Sequence, residues 1–330
     1  MRITILEFAP CADSIYHIRR DPQGGYVEAR DRAITIESGA KLRPRLVGTY
    51  AGGKATNVAR VIDRLLNPCD QVEVELIVFR PDSPEGRYIH ELQTQALTRT
   101  SVRPVIIEGH ARFCIDLTDP ATEGDNRVEF NISPRALWGK GAAETTAEVV
   151  SGVSTDLLLL AGNPPVAEST GEMDVDIYSR ITAEVRPRVG TISVDAEKGA
   201  LASCLKASAR PDVIKINEDE YSSVDEALWD DFAGVLIITD AKGCRLWEGG
   251  KASPPRHVPG FKARTLYSTV GAGDAVHAGF TVARWVWGFD VVEAARYGQA
   301  AAAASVSSPG GTRGITRQAV ERFFTDLGRE

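Results

Sequence analysis

Residues 269–275 read Thr-Val-Gly-Ala-Gly-Asp-Ala, and this stretch decides how the rest of the chain is interpreted. Two glycines two positions apart let the backbone turn sharply and approach a ligand closely. The apolar spacing from Val276 onward predicts a helix that begins here, and free N–H groups together with the helix dipole favour an anion at such an end. The carboxylate beside the turn can be directed at a bound hydroxyl. The candidate site residues are Gly271, Ala272, Gly273 and Asp274.

Outward from this stretch, short apolar runs alternate with longer segments of helical spacing. The runs cover residues 3–8, 74–79, 157–160, 191–195, 213–216 and 235–239. Strands that are apolar at nearly every position are typical of a sheet buried on both faces. Helical spacing is clearest in residues 57–66. The alternation predicts an α/β fold with a mainly parallel central sheet and helices on both of its faces.

Two stretches, residues 14–50 and 105–132, break this rhythm and have the character of β-rich insertions. Alternating runs at 32–37 and 112–117, with turn residues at 24–25 and 124–125, predict a small sheet outside the main one. We therefore expect a single domain over residues 1–330 with a small β lid. Exposed sheet edges are often covered by a partner, so a homodimer through the lid is a further expectation.

The composition narrows the class of protein. Lys and Arg total 38 and Asp and Glu total 45, which gives a formal charge of −7 and argues against a nucleic-acid partner. No apolar run approaches the roughly 20 residues that span a bilayer, so no membrane association is expected. The five cysteines are scattered and odd in number, without a C-x-x-C pair. They predict reduced thiols in a cytoplasmic protein.

Three motifs in order give the chain a family resemblance. Residues 269–275 closely resemble the C-terminal signature of the PfkB (ribokinase-like) carbohydrate kinases. Residues 51–60, Ala-Gly-Gly-Lys-Ala-Thr-Asn-Val-Ala-Arg, resemble the family's other signature, and residues 215–220 are similar to its Asn-x-x-Glu motif. The resemblance implies a ribokinase-like three-layer α/β/α sandwich. It also implies a kinase that uses ATP and Mg²⁺, with Asp274 as catalytic base and the backbone of residues 271–273 as the anion hole.

The opening Ala-Pro-Cys-Ala-Asp of residues 9–13 looks like the 1-phosphofructokinase and tagatose-6-phosphate kinase branch, which implies a sugar already bearing a phosphate. In that branch Asp13 would hold sugar hydroxyls, while Lys54 and Arg112 would hold the phosphate. The remaining acceptor-side residues implied by the resemblance are Gly52, Gly53 and Asn57. On the nucleotide side it implies Asn217, Thr239, Lys242, Gly243 and Gly310, with Asn217 and Glu220 organising Mg²⁺ and its waters.

Departures from the family pattern leave alternatives open. Ile238 replaces a hydroxyl donor and Asp240 replaces a glycine on the strand near the ATP phosphates, where a carboxylate is repulsive unless Lys242 or a metal intervenes. Ala9 and Ala55 depart on the acceptor side. The resemblance implies an acceptor of the fructose-1-phosphate, fructose-6-phosphate or tagatose-6-phosphate type, and these departures leave open a substrate that differs from the fructose and tagatose phosphates. A kinase of an unphosphorylated sugar or nucleoside, or a catalytically weak sugar- or nucleotide-binding homologue, remain the alternatives.

Overall fold

The structure is a computed structural model that describes residues 1–17, 27–30, 33–36, 44–118, 127–132, 136–251, 253–263 and 265–326. The strands are β1 (Arg2–Glu7), β2 (Cys11–His17), β3 (Val27–Arg30), β4 (Ala33–Ile36), β5 (Arg45–Gly52), β6 (Glu73–Pro81), β7 (Thr100–Ile107), β8 (Gly109–His110), β9 (Arg112–Thr118), β10 (Arg127–Asn131), β11 (Leu137–Trp138), β12 (Thr155–Ala161), β13 (Val166–Ala167), β14 (Val189–Asp195), β15 (Val213–Asn217), β16 (Val235–Asp240), β17 (Gly243–Glu248) and β18 (Arg256–Pro259).

The helices begin and end as follows: α1 (Lys54–Leu65), α2 (Pro84–Ala96), α3 (Ala142–Ser151), α4 (Ile177–Val185), α5 (Lys198–Lys206), α6 (Glu218–Ser222), α7 (Ala227–Asp230), α8 (Ala272–Thr281), α9 (Val291–Val306) and α10 (Arg317–Asp326). A π-helical turn, Val282–Val286, continues α8, and 3₁₀ turns cover Arg186–Arg188 and Gly311–Arg313.

The main sheet has nine strands in the order β18-β17-β16-β15-β14-β12-β1-β6-β7. The seven strands from β16 to β7 run parallel, and β17 and β18 add an antiparallel edge. The first strand added beside β1 is β6, and the chain later places β12 on the opposite side of β1, so the direction in which strands are added reverses there. Parallel sheets of this kind bind ligands beyond the carboxyl ends of the strands near such a reversal.

The main sheet is buried on both faces, and successive residues of its central strands enter different cores. Ile5 of β1 and Leu159 of β12 pack with α1, α8 and α9, whereas Leu6 and Leu160 pack on the opposite face with α3, α4 and α5. Alternate side chains of a strand point to opposite faces, so a continuous apolar run serves both layers. This arrangement is the predicted three-layer α/β/α sandwich.

A second sheet, in the order β10-β9-β2-β5, forms the lid outside the main sheet. It brings together residues 11–17, 45–52, 112–118 and 127–131, which lie mostly within the predicted insertions. Residues 105–107 were included in the predicted lid but belong to β7 of the main sheet. The turns expected at 24–25 and 124–125 lie outside the described residues.

The six apolar runs each coincide with a strand of the main sheet, and residues 57–65 lie in α1, so these predictions are confirmed. The small sheet formed by β8, β11 and β13 and the antiparallel edge of the main sheet were not predicted. Among the helices that the structure describes, none combines the length and the apolar character needed to cross a membrane.

Candidate functional site

Four parallel strands of the main sheet end in polar residues, so these residues lie together at the carboxyl ends of the strands. Glu7 ends β1, Asp195 ends β14, Asn217 ends β15 and Asp240 ends β16. Asn217 and Asp240, together with residues at the N-termini of α1 and α8, line a cavity of about 500 Å³ that also reaches the lid strands. The cavity therefore lies where the fold predicts a ligand site.

Most of the residues singled out in the sequence line this cavity. They are Asp13, Gly53, Lys54, Asn57, Arg112, Asn217, Glu220, Thr239, Gly271, Ala272, Gly273 and Asp274. Four others, Gly52, Lys242, Gly243 and Gly310, do not line it. Gly52 nevertheless lies directly behind Asp13, because a Cβ at Gly52 would come within 2.1 Å of the Asp13 Oδ2 atom.

Asp274 lies in the first turn of α8 with its side chain almost completely buried. Its Oδ2 atom accepts a hydrogen bond of 2.9 Å from Asn57 Nδ2. Burial, followed by the nearby carboxylate of Asp195, raises the pKa of Asp274 from 3.8 to about 6, although Lys54 and Lys215 act in the opposite direction. A carboxylate with such a pKa is ionised at neutral pH and is basic enough to accept a proton.

The turn before α8 depends on its glycines. Gly271 caps the helix with φ of 72°, in the left-handed region that glycine adopts most readily. A Cβ at Gly273 would lie 2.7 Å from Lys215 Nζ, so the missing side chain lets that ammonium group approach the helix N-terminus. The helix dipole and this cation both favour an anion at the same place.

A network of lysines and carboxylates lies beneath the cavity. Asp195 is fully buried, and its two oxygens accept hydrogen bonds from Lys54 Nζ at 2.9 Å and Lys215 Nζ at 2.7 Å. Lys54 Nζ also donates to Glu220 Oε1 at 3.0 Å. Burial alone would raise the pKa of Asp195, but Lys215 and Lys54 outweigh it and hold that pKa well below its usual range. The ammonium group of Lys54 is thus directed toward two carboxylates.

Asn217 and Glu220 hold each other at the start of α6. The Asn217 side chain accepts from the Glu220 backbone N–H at 2.8 Å, and the Glu220 carboxylate accepts from the Asn217 backbone N–H at 2.9 Å. This capping box, with Lys54 on the other Glu220 oxygen, fixes both side chains. Side-chain oxygens that already accept hydrogen bonds from the protein suit an ion that keeps its own water shell, as Mg²⁺ does. The residues therefore fit Mg²⁺ held through water.

The strand that ends in Thr239 and Asp240 is also tied to the backbone. The Thr239 hydroxyl donates to the carbonyl of Ile216 at 3.1 Å, and Asp240 Oδ1 accepts from the backbone N–H of Lys242 at 2.6 Å. The backbone amide of Lys242 thus engages Asp240, which lines the cavity. The Asp240 carboxylate thus borders the same cavity as the N-terminus of α8, and its nearness to the ATP phosphates stays a prediction.

Three buried charged residues near the cavity had no role assigned from the sequence: Glu7, Asp195 and Lys215. Asp195 and Lys215 form the buried ion pair described above. Glu7 accepts backbone N–H groups of Thr56 at 2.9 Å and Ala9 at 3.2 Å, and burial raises its pKa to about 7. A signal was available, since Glu7 and Asp195 are charged residues at or next to the ends of apolar strands.

Arg60 also had no assigned role, although it lies in the quoted signature. It is 2% exposed, and its Nη1 donates to Asn57 Oδ1 at 2.6 Å and to Thr312 Oγ1 at 3.3 Å. This contact directs the amide nitrogen of Asn57 toward Asp274. Arg60 therefore positions the Asn57 side chain that contacts the candidate base.

Comparisons with known proteins agree with this architecture. The model of the pfkB family carbohydrate kinases matches residues 26–317. A search of the curated proteins finds no significant match. Phosphofructokinase-2 from Escherichia coli, solved with potassium, superposes with a TM-score of 0.78 at 18% identity over 99% of each chain.

Two further solved structures are similar. The possible 1-phosphofructokinase of Thermotoga maritima has a TM-score of 0.72 at 17% identity, covering 98% of this chain and 97% of its own. Ribokinase from Thermotoga maritima has a TM-score of 0.64 at 18% identity, covering 97% of this chain and 98% of its own. At these identities the likeness establishes a shared fold.

Proposed function

This chain belongs to the pfkB family of carbohydrate kinases, and from that premise we propose that it transfers the γ-phosphoryl group of ATP to a hydroxyl of a phosphorylated sugar. The observation that carries the proposal is the position of Asp274. Its buried carboxylate, with a pKa of about 6, lies in the first turn of α8 and shares the cavity with Asp13 and Arg112 of the lid.

In the proposed reaction Asp274 accepts the proton of the acceptor hydroxyl while that oxygen forms a bond to the γ-phosphorus. The bond from the γ-phosphorus to the β–γ bridging oxygen breaks, and the electron pair leaves with ADP. The N-terminus of α8 and Lys215 would stabilise the charge on the transferring group. Mg²⁺, when bound through water near Asn217 and Glu220, supplies further neutralisation of the phosphates.

The acceptor would lie between α1 and the lid. Asp13 would receive hydroxyl hydrogens, and Arg112 would bind the substrate phosphate, because a guanidinium group can form two parallel bonds to a phosphate. Arg112 is partly exposed, and its Nη2 contacts Asn131 Oδ1 at 3.1 Å. Lys54 is a weaker candidate for this phosphate than the sequence indicated, because Asp195 and Glu220 already neutralise it.

The nucleotide would lie on the other side of Asp274. Buried Gln299, with Val276 and Ala302, also lines the cavity, and these residues would offer the nucleotide an apolar wall with one amide. Asp240 at the same edge opposes phosphate binding unless a cation lies between them. This residue is the observation that keeps a catalytically weak binding protein as the second candidate function.

A screen of phosphorylated and free sugars, with ADP formation as the readout, tests the proposal. Arg112→Ala should raise KM for phosphorylated acceptors by about 10–100-fold, as expected for losing a charge-assisted bond of about 1.5–3 kcal/mol. Free sugars should lose no comparable affinity. Arg103→Ala is the matched control, because Arg103 lies on β7 and pairs with Glu75.

Two results would contradict the proposal in different ways. An equal loss for free and phosphorylated sugars would favour a kinase of unphosphorylated acceptors or nucleosides. A chain that forms no ADP with any acceptor, and whose melting temperature does not move at millimolar ATP with Mg²⁺, would exclude an ATP-dependent kinase. Bound ATP without turnover would instead support the binding protein.

A homodimer through the lid is part of the same proposal. Leu46, Val47, Phe130 and Ile132 are exposed and lie on or beside β5 and β10, the two edges of the lid sheet. Unpaired edges with apolar side chains favour association with a second copy. Leu46→Asp should convert a dimer into a monomer in sedimentation analysis, whereas a wild-type monomer would exclude the interface.

The unpaired cysteines accord with the cytoplasmic location that we propose.

A further inference from the structure

Two thiols and a carboxylate lie side by side where the lid meets the cavity. β2 and β9 are neighbouring parallel strands, and their register places Cys11 opposite Arg112 and Asp13 opposite Cys114. Because alternate residues of a strand share a face, all four side chains lie on one side of the lid. The two Sγ atoms and a carboxylate oxygen of Asp13 all lie within 4.8 Å of one another.

We propose that Cys11, Asp13 and Cys114 form a binding site for a soft divalent cation of the Zn²⁺ class. A tetrahedral zinc ion with Zn–S of about 2.3 Å and Zn–O of about 2.0 Å sets the sulfur and oxygen ligands about 3.5 Å apart. Cys11 Sγ and Asp13 Oδ1 are 3.3 Å apart, so small side-chain movements suffice to bring these ligands to an ion. The fourth position would face the cavity, which all three residues line.

The ligand types decide which cation the site would take. Thiolates favour zinc and other soft cations, whereas Mg²⁺ prefers oxygen ligands in an octahedral arrangement. Binding would displace the protons of both thiols, so two thiolates and one carboxylate would carry three negative charges against the two of the ion. The guanidinium of Arg112, whose Nη2 lies 3.9 Å from Cys114 Sγ, would balance the remaining charge.

The surroundings of the thiols also suit a bound ion. Cys11 and Cys114 are 3% and 5% exposed, so their rotamers are constrained by packing. The Cys114 thiol donates to Asn131 Oδ1 at 3.0 Å, and when metal binding removes the thiol proton this amide oxygen would accept from a water bound to the ion. Partners of this kind outside the ligand set typically change metal affinity by about 10–100-fold.

The consequence for activity rests on the proposed function. Asp13 is the residue proposed to receive the hydroxyls of the acceptor, and it cannot do so while it binds a metal ion. Zinc and acceptor should therefore exclude each other. In steady-state kinetics zinc would raise the apparent KM for the acceptor and leave kcat unchanged.

The binding itself can be measured without any substrate. The full-length protein, kept reduced with a phosphine that does not bind the metal strongly, would be titrated with ZnCl₂ against a chromogenic chelator. We expect one tight equivalent that millimolar MgCl₂ does not displace. Cys11→Ser and Cys114→Ser should each weaken zinc binding by at least about 100-fold, since a lost ligand costs more than a lost outer partner. Cys69→Ser, on an exposed cysteine, should bind as the wild type does.

Each outcome decides the matter. Thermal unfolding of the serine variants verifies that they are folded, and a folded variant that retains wild-type zinc affinity would overturn the site. Reduced wild-type protein that binds no zinc would also overturn the site. This conclusion would hold even if Cys11 and Cys114 formed a disulfide in oxidised protein. Zinc binding that depends on both thiols would support the site even if no acceptor sugar were found, so failure of the proposed function is a separate result.

Discussion

The substitution Asp274→Asn should make this protein more stable at alkaline pH while removing its proposed base. The Asp274 side chain is 6% exposed, and burial together with Asp195 raises its pKa from 3.8 to about 6. This rise of about two units corresponds to about 3 kcal/mol, at about 1.4 kcal/mol per unit. The ionised carboxylate therefore lowers the free energy of unfolding, and a neutral amide of the same shape would not.

The pH dependence has a defined sign. The folded pKa lies above the unfolded one, so between about pH 4 and pH 6 the Asp274 carboxyl binds more protons in the folded state, and its contribution to the free energy of unfolding falls as pH rises. The unfavourable contribution of Asp274 is about 3 kcal/mol at pH 8 and only about 1 kcal/mol at pH 4.5. The stability gained by Asp274→Asn should therefore be about 2 kcal/mol larger at pH 8 than at pH 4.5.

Urea unfolding of both proteins at the two pH values measures this difference. Asp82→Asn is the control: Asp82 is an exposed residue paired with Arg87, and its removal should change stability by less than about 1 kcal/mol. In the same preparations turnover of Asp274→Asn should fall by about 10²–10⁴-fold, the usual contribution of a general base. A variant that gains nothing at pH 8, or gains equally at both pH values, would refute the electrostatic account of Asp274.

Other perturbations have expected outcomes as definite as this one. Asp195→Ala should lower the free energy of unfolding by about 3–5 kcal/mol in urea, because it removes the buried carboxylate that Lys215 contacts and leaves Lys54 with Glu220 alone. Gly53→Ala should lower the free energy of unfolding by about 1–3 kcal/mol in the same assay, because φ at Gly53 is 105° and the new Cβ would lie 2.6 Å from Glu7 Oε2. Gly152→Ala is its control and should be nearly neutral, because Gly152 has an ordinary helical conformation. Burial lowers the pKa of His277 to about 4, so the contribution of His277 to the free energy of unfolding should decrease as pH falls from about 6.5 to about 4, opposite in sign to that of Asp274. The stability of His277→Gln relative to the wild type should therefore rise over this window in the same assay.

The main sheet was predictable from the sequence because its strands are buried on both faces and hence apolar throughout. The antiparallel edge strands were harder to predict from the sequence. In β17, Arg245 and Glu248 lie beside Leu246 and Trp247, and this mixture follows neither the helical nor the strand spacing of apolar residues. Short two-residue strands such as β8 carry almost no local signal, because distant partners define them.

The candidate site shows the same division between local and distant information. Asp274 was predictable because glycines and helix start are adjacent in sequence. Asp195 has a local signal as a charged residue that ends an apolar strand, but its ion pairs were not predictable, because Lys54 and Lys215 lie 141 and 20 positions away. The direction of the Lys54 ammonium group likewise depends on the distant residue Glu220. Sequence reasoning could identify the cation but not its partners.

The carboxylate partners of Lys54 and Lys215 decide which of the two ammonium groups is better placed to stabilise the proposed transferring phosphoryl group. Lys54 donates to two carboxylates and so has the larger part of its charge compensated. Lys215 donates to Asp195 and lies beside the N-terminus of α8, where the absence of a side chain at Gly273 leaves its ammonium close to the helix backbone. The field of a cation and of a helix dipole add when both point at one anion. Hence the cationic side chain best placed to attract an anion near Asp274 is Lys215, which is buried in the main sheet, whereas Arg112 of the lid is the residue that we propose for the acceptor.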